Sequence, residues 1–222
     1  MRSIEETMAQ VRRPTGAYGQ EIAEEMNKHH EKLSAWGLSH IQIPSDATIL
    51  DIGCGGGKTL QFFAKNIRKG KIYGIDYSEV SVEVSKKINE KFIQIGLVDV
   101  QLGTVSSLPF SDDMFDLITG IETSYFWPDL LNDLMEILRV LKPNGELSII
   151  NEAYKIEQNS KHSNLNEKHR NEIKEWVRIG NILIYSPKEY YQFFKDAGYS
   201  EIEVYEKKNE VWITIKGKKP KK

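Results

Sequence analysis

The 222-residue sequence contains a single cysteine, Cys54. That excludes an intramolecular disulfide and any multi-cysteine metal site. No stretch approaches the roughly 20 consecutive apolar residues that a bilayer-spanning helix needs. The opening residues, Met1-Arg-Ser-Ile-Glu-Glu6, place charges where a secretory signal needs an apolar core. These absences point to the cytoplasm and to no membrane partner. A dominant charge is also lacking: 30 Lys and Arg stand against 32 Asp and Glu, a net charge of −2, with a pI near 6.2. Such a balance argues against nucleic acid as a partner. The one basic cluster, Lys216-Gly-Lys-Lys-Pro-Lys-Lys222, reads as a solvated, frayed end. Internal repeats are absent. What is present, 40% hydrophobic and 28% charged residues, is ordinary globular composition, and the length suits one domain with a full core.

The chain is organised around Ile49-Leu-Asp-Ile-Gly-Cys-Gly-Gly-Gly57. The apolar run Thr48 to Ile52 reads as a buried strand, and it leads into glycines at 53, 55, 56 and 57. Leu60, Phe63, Ala64 and Ile67 follow at the spacing of an amphipathic helix. Strand, glycine loop and helix let a backbone approach a nucleotide-like ligand closely, because no Cβ intervenes. Ahead of this unit, residues 1–16 show no periodicity and read as a mobile or ligand-ordered arm. From Gly19 one helix is expected, with Ile22, Met26, His29, Leu33 and Trp36 inward and Gly37 at its C′ position. His29 then lies on the apolar stripe and His30 at its border.

Further strands are expected at 71–75, 98–102, 115–119 and 147–151. Between them, Ser78 caps a helix carrying Val80, Val84, Ile88 and Phe92, and Pro128 opens one with Leu131, Leu134, Ile137, Leu138 and Leu141 inward. Residues 155–183 are polar, with a weak helix at 167–179, and read as a lid or connection. Ser186-Pro187-Lys-Glu189 is a capping box, and 201–205 with 211–215 form a closing hairpin. The result is a doubly wound α/β fold: a seven-stranded sheet, parallel apart from its terminal antiparallel hairpin, with helices on both faces. Within one domain the parts are an arm and cap helix (1–45), a binding core (46–151), a lid or connection (152–185), a final helix and hairpin (186–216) and a basic tail (217–222).

A dinucleotide fingerprint, G-x-G-x-x-G, would need a third glycine where Lys58 stands. The shorter G-x-G-x-G of Gly53, Gly55 and Gly57 suits a ligand without a pyrophosphate. Asp76, ending the second strand, is placed to accept from both hydroxyls of a ribose. Asp51, just before the loop, is placed to hold an ammonium group. An adenosine with an amino-acid tail satisfies all three features. Cys54 within the loop reads as a small filler.

At these residues the chain resembles the class I S-adenosylmethionine-dependent methyltransferases, in their small-molecule, methyltransferase type 11-like branch that includes quinone-biosynthesis enzymes. Ile49 to Gly57 resembles their first motif, and Gly74-Ile75-Asp76 their ribose-binding acid. Leu108-Pro109-Phe110 with Phe115-Asp-Leu-Ile118, and Arg139-Val-Leu-Lys-Pro-Asn-Gly145, resemble the segments around their fourth and fifth strands. The resemblance implies a Rossmann-like methyltransferase fold, S-adenosyl-L-methionine as cofactor and S-adenosyl-L-homocysteine as product. The implied cofactor residues are Asp51, Gly53, Cys54, Gly55, Gly57, Asp76, Tyr77, Ser78, Thr104, Val105 and Ile121, with Tyr18 closing over the site. Where the family often has an acid after strand three, this chain has Gly103-Thr104-Val105. The adenine contact is then Thr104 or backbone and apolar groups.

Methyl transfer from a sulfonium needs alignment and, for some acceptors, removal of a proton; it requires no metal. The acceptor side is expected beyond strands four and five. Tyr125 and Trp127 there either line a pocket or attract a cation, an effect of about 0.5 to 2 kcal/mol. Glu122 is the first candidate for a substrate-binding carboxylate or base, its other reading being a capping or salt-bridged acid. Glu152, His29 and His30 follow as candidates, and Trp176 is expected at the acceptor. A small-molecule methyl acceptor is the expected partner, for a monomer or homodimer. Two alternatives stand: an RNA or protein methyltransferase, against which count the acidic pI and the lack of an Asn/Asp-Pro-Pro-Tyr-type motif at Glu122-Thr-Ser-Tyr125, and a non-catalytic cofactor-binding module.

Overall fold

The structure, a computed structural model, describes residues 2–156 and 167–221, with the side chains of 167–170 and 172 excepted. Residues 157–166 of the expected lid lie outside the described residues. Strands β1 (Thr48–Ile52), β2 (Lys71–Asp76), β3 (Val98–Leu102), β4 (Phe115–Ile121), β5 (Leu141–Asn151), β6 (Ser200–Glu206) and β7 (Ile213–Lys218) form one sheet in the order β3-β2-β1-β4-β5-β7-β6. The pairs from β3 to β5 are parallel, and β7 runs antiparallel to both β5 and β6. The order in which successive strands are laid down reverses between β1 and β4. A crevice at the carboxyl ends of these two strands is where an open α/β sheet binds its ligand.

Residues alternate between the two faces of each strand. Leu50 and Ile52 of β1 pack with Ile118 and with α7 (Leu130–Val140) and α9 (Pro187–Asp196) on one face. Ile49 packs with Leu60 and Phe63 of α4 (Lys58–Asn66) and with Leu33 of α3 (Glu31–Leu38) on the other. The remaining helices are α1 (Ile4–Arg12), α2 (Gly16–His29), α5 (Glu79–Ile88), α6 (Glu90–Gln94) and α8 (Glu167–Gly180).

Several expectations are corrected. The arm is not irregular: Ser3 caps α1, its Oγ accepting from Glu6 N at 3.1 Å while the Glu6 carboxylate accepts from Ser3 N at 2.9 Å. The single helix from Gly19 is two, α2 and α3, with the break at His30 (φ −86°, ψ 4°). The break lets α3 approach β5, and Gly37 lies inside α3 rather than after it. A Cβ on Gly37 would stand 2.5 Å from Ile150 Cγ2, so close packing rather than capping selects the glycine. His29 is exposed and His30 is turned inward, the reverse of the stripe reading. Asp129 rather than Pro128 caps α7, accepting from Asn132 N at 3.2 Å, and the inward residues are Leu130, Leu134, Ile137 and Val140. Leu141 already belongs to β5, which pairs with Phe115 before a register shift. Nor is the basic cluster frayed at its start. Lys216 pairs with Glu203 at 3.1 Å, and Lys219 Nζ reaches Asp113 at 2.7 Å.

Phe63 is fully buried between the sheet and α3. Phe63→Ala is expected to destabilise the fold by about 3–5 kcal/mol, read from the urea midpoint. An unchanged midpoint would place the core elsewhere.

Candidate active site

The loop after β1 turns at Gly53, whose φ of 66° favours glycine. A Cβ there would lie 2.1 Å from Thr123 Oγ1, and one on Gly56 would lie 2.3 Å from Asn27 Nδ2. Neighbouring elements thus press on the loop from both sides. At Gly55 nothing lies within 4 Å of the Cβ position. This glycine faces a cavity of about 340 Å³ bounded by the loop, the ends of β2 and β4, and the α1–α3 segment.

Two buried carboxylates face this cavity. Asp76 Oδ2 accepts from Gly55 N at 2.9 Å, and its Oδ1 accepts from Ser78 N at 2.9 Å. Burial raises its pKa against the lowering effect of these N–H groups. An ionised carboxylate has about four lone-pair sites, so two acceptances leave capacity for a ligand diol. Asp51 is fully buried, and its Oδ1 accepts from Thr119 Oγ1 at 2.6 Å. Burial pushes it up to about 7, with Thr119 opposing the shift and Asp76 adding to it. Cys54 lines the same cavity, and burial pushes its thiol well up, which suits an inert filler. Ile121 and Tyr77 also line it. The Tyr77 hydroxyl donates to the Arg12 carbonyl and so ties the end of α1 over the opening.

A second cavity, about 580 Å³, adjoins the first; Val11, Met26, His30, Glu122 and Phe126 border both. Glu122 follows directly on β4 with a φ of 57°, a left-handed conformation uncommon for a glutamate. Its Oε1 accepts from Glu152 N and, at 3.2 Å, from the Tyr125 hydroxyl; its Oε2 lies 3.9 Å from His30 Nε2. Burial first, and the Glu152 charge second, raise Glu122 well above the carboxylate range. Burial and the neighbouring His29 lower His30 to about 4. Both shifts disfavour an ion pair at the Glu122–His30 contact. Glu152 Oε2 is 3.5 Å from His29 Nε2. Trp176 of α8 closes this cavity and meets the Tyr125 ring edge to face at 6.1 Å.

Not every expected residue reaches the site. Tyr18 packs away from the loop, with its hydroxyl 2.8 Å from Thr7 Oγ1 and its ring under Arg2. Ser78 is committed to capping α5 and to donating to the Pro14 carbonyl at 2.6 Å. Gly57 packs under Ser85 and Asn89, and Gly56 lines the cavity in its place. Thr104 is bridged to Ser107, Val105 is in the core, and neither borders the cavity. Trp127 is likewise a core residue, its Nε1 donating to Thr123 Oγ1 at 3.4 Å. Sequence reasoning missed Asn27, whose Nδ2 donates to Gly56 O at 3.1 Å, along with Arg12 and Pro14 at the cavity edge. The Ser3-x-x-Glu6 capping box was the available signal for a helix that delivers the latter pair.

A doubly wound sheet with a glycine loop, a second-strand acid and a cavity at the switch point defines a nucleoside-binding α/β protein. Comparison with known proteins narrows the class. Residues 43–198 match the family described as "Methyltransferase domain". The chain is 32% identical over 124 residues to the demethylmenaquinone methyltransferase of Bacillus licheniformis, covering 54% of this chain and 51% of that one. It is 29% identical over 186 residues to cycloartenol-C-24-methyltransferase 1 of Oryza sativa subsp. japonica, covering 83% and 51%. Its fold matches a SAM-dependent methyltransferase from Aquifex aeolicus with a TM-score of 0.67 at 22% identity, over 90% of this chain and 97% of that one. The chain belongs to the S-adenosylmethionine-dependent methyltransferase family. It spans about half the length of the curated relatives it matches. Among the described residues no helix is long and apolar enough to cross a membrane.

Asp51 makes a pH-dependent prediction. A carboxyl whose folded pKa rises from 3.8 to about 7 keeps its proton in the folded state while the unfolded chain has lost it. The stability this contributes is full below the unfolded pKa and disappears as pH rises through the folded one. Asp51→Asn escapes that loss. The thermal midpoint of the variant without ligand should therefore exceed the wild type's by more at about pH 8 than at about pH 5. An equal difference at both values would remove Asp51 as a buried, strained acid.

Proposed function

We propose that the protein transfers a methyl group from S-adenosylmethionine to a small-molecule acceptor held in the second cavity. The observation that carries this reading is the pair of adjoining cavities, with the glycine loop, Asp51 and Asp76 in one and Glu122 at the wall shared with the other. Bound in the first cavity, S-adenosylmethionine supplies an activated methyl on a positive sulfur.

The residues present fit such a donor. Gly55 leaves open space for close approach, Asp51 offers a buried counter-charge to an ammonium, and Asp76 retains acceptor capacity for a ribose diol. Contact with an ammonium would lower the pKa of Asp51 and hold it ionised. Glu122 and Tyr125 hold a fixed hydrogen-bonded group at the acceptor side, and Trp176 and Phe126 supply apolar surface. Positioning two reactants in adjoining pockets removes much of the entropic barrier to an in-line displacement. The enclosure of the second cavity by α1, α2 and α8 supports a compact acceptor, as do the small-molecule names of the curated relatives. The single, free and buried thiol of Cys54 supports the cytoplasm as its location.

Incubating the protein with methyl-labelled S-adenosylmethionine and fractionated metabolite extracts should transfer label to a low-mass product. Label entering only RNA or protein would overturn the acceptor class. Glu122→Gln is expected to lower turnover of that acceptor by about a hundredfold while leaving donor affinity nearly unchanged. Equal loss of both would move Glu122 to the donor side.

A further inference from the structure

The end of α2, the end of β4 and the end of β5 bring four potential donors together at the mouth of the second cavity. One ligand atom from each of His29, His30 and Glu152 lies within 4.8 Å of the others. Glu122 Oε2 approaches His30 Nε2 to 3.9 Å, and its side chain is 6% exposed. From this geometry we propose that His29, His30, Glu152 and Glu122 form a binding site for a divalent transition-metal ion of the zinc class.

The donor chemistry matches. Two imidazoles with carboxylate oxygens suit zinc and its first-row neighbours, whereas magnesium and calcium prefer oxygen alone. Zinc bonds to nitrogen and carboxylate oxygen are about 2.0–2.2 Å, which sets neighbouring tetrahedral donors about 3.3–3.5 Å apart. His29 Nε2 and Glu152 Oε2, at 3.5 Å, already have this separation. His30 and Glu122, at 3.9 Å, need a small inward rotation. The His29 side chain is 69% exposed and has room to adjust.

The supporting shell is built rather than incidental. Glu122 is held by Glu152 N and the Tyr125 hydroxyl, and Tyr125 is itself fixed by Ala153 N at 2.9 Å. With His29, His30 and Glu152 bound, the position nearest Glu122 stays open toward the cavity, and Glu122 yields it to an acceptor. A cation there would coordinate a hydroxyl or thiol of the acceptor and favour its deprotonated, nucleophilic form. The site goes beyond the proposed methyl transfer, which needs no metal, and it holds whichever molecule is methylated.

The test uses the full chain, treated with chelator, dialysed and titrated with zinc chloride in a calorimeter. A parallel titration with cobalt(II) chloride is followed by visible absorption. Saturable binding of one zinc per chain is expected, with the intense cobalt bands of a four-coordinate site. His29→Ala and Glu152→Gln should each weaken zinc binding at least about tenfold, whereas Glu24→Gln on the exposed side of α2 should not. His29 is exposed, so its replacement leaves the fold intact. Absent saturable zinc binding, affinity indifferent to both variants, or the weak spectrum of hydrated cobalt would each overturn the site. The probe is the metal alone, so such a failure is separate from any failure of donor binding or methyl transfer.

Discussion

The structure depends on one close approach: at Gly53 and Gly56 the loop 53–57 passes its neighbours with no space for a side chain. Thr123 at the end of β4 covers Gly53, and Asn27 of α2 covers Gly56 while donating to its carbonyl. The same loop is held from below by the Asp76 carboxylate on Gly55 N. Three separate elements are therefore fixed relative to one backbone segment, and the cavity is the space they leave above Gly55. Alanine at Gly53 would have to displace Thr123 and adopt a left-handed conformation as well. The packing that closes the loop is also what places Glu122, next to Thr123, at the boundary with the second cavity.

Charge is the second organising feature. Both cavities contain acids that burial drives toward protonation, Asp51 and Asp76 in one, Glu122 in the other. Buried carboxyls without cations are costly, and such groups concentrate where a ligand completes them. An ammonium in the first cavity and a metal ion in the second would each supply the missing charge. The two sites would then share a logic, although one serves the donor and the other the acceptor.

Much of the fold is legible in the sequence because its signals are local. β1 and β3 fall at the expected residues, and the Ser186–Glu189 box starts α9 as expected. The glycine loop, Asp51 and Asp76 are legible for the same reason, since spacing along two adjacent strands fixes them. What escaped reading depends on tertiary contacts. Gly37 looks like a helix stop, yet it is selected by Ile150 on a distant strand. Trp127 looks like a pocket aromatic, yet it is drawn into the core beneath α7. The choice between His29 and His30 as the inward residue turns on a break of the helix at His30, which no periodicity announces. Thr104 stands where relatives often have an acid this chain lacks, and its backbone bridges to Ser107 instead of bordering the cavity.

The central claim is that the loop and its two acids form a site for an adenosine bearing an amino-acid tail. Titrating the full chain calorimetrically with S-adenosylhomocysteine and, separately, with NAD tests it most directly. The account predicts saturable one-to-one binding of S-adenosylhomocysteine and negligible heat from NAD. Binding of NAD with no response to S-adenosylhomocysteine would contradict it.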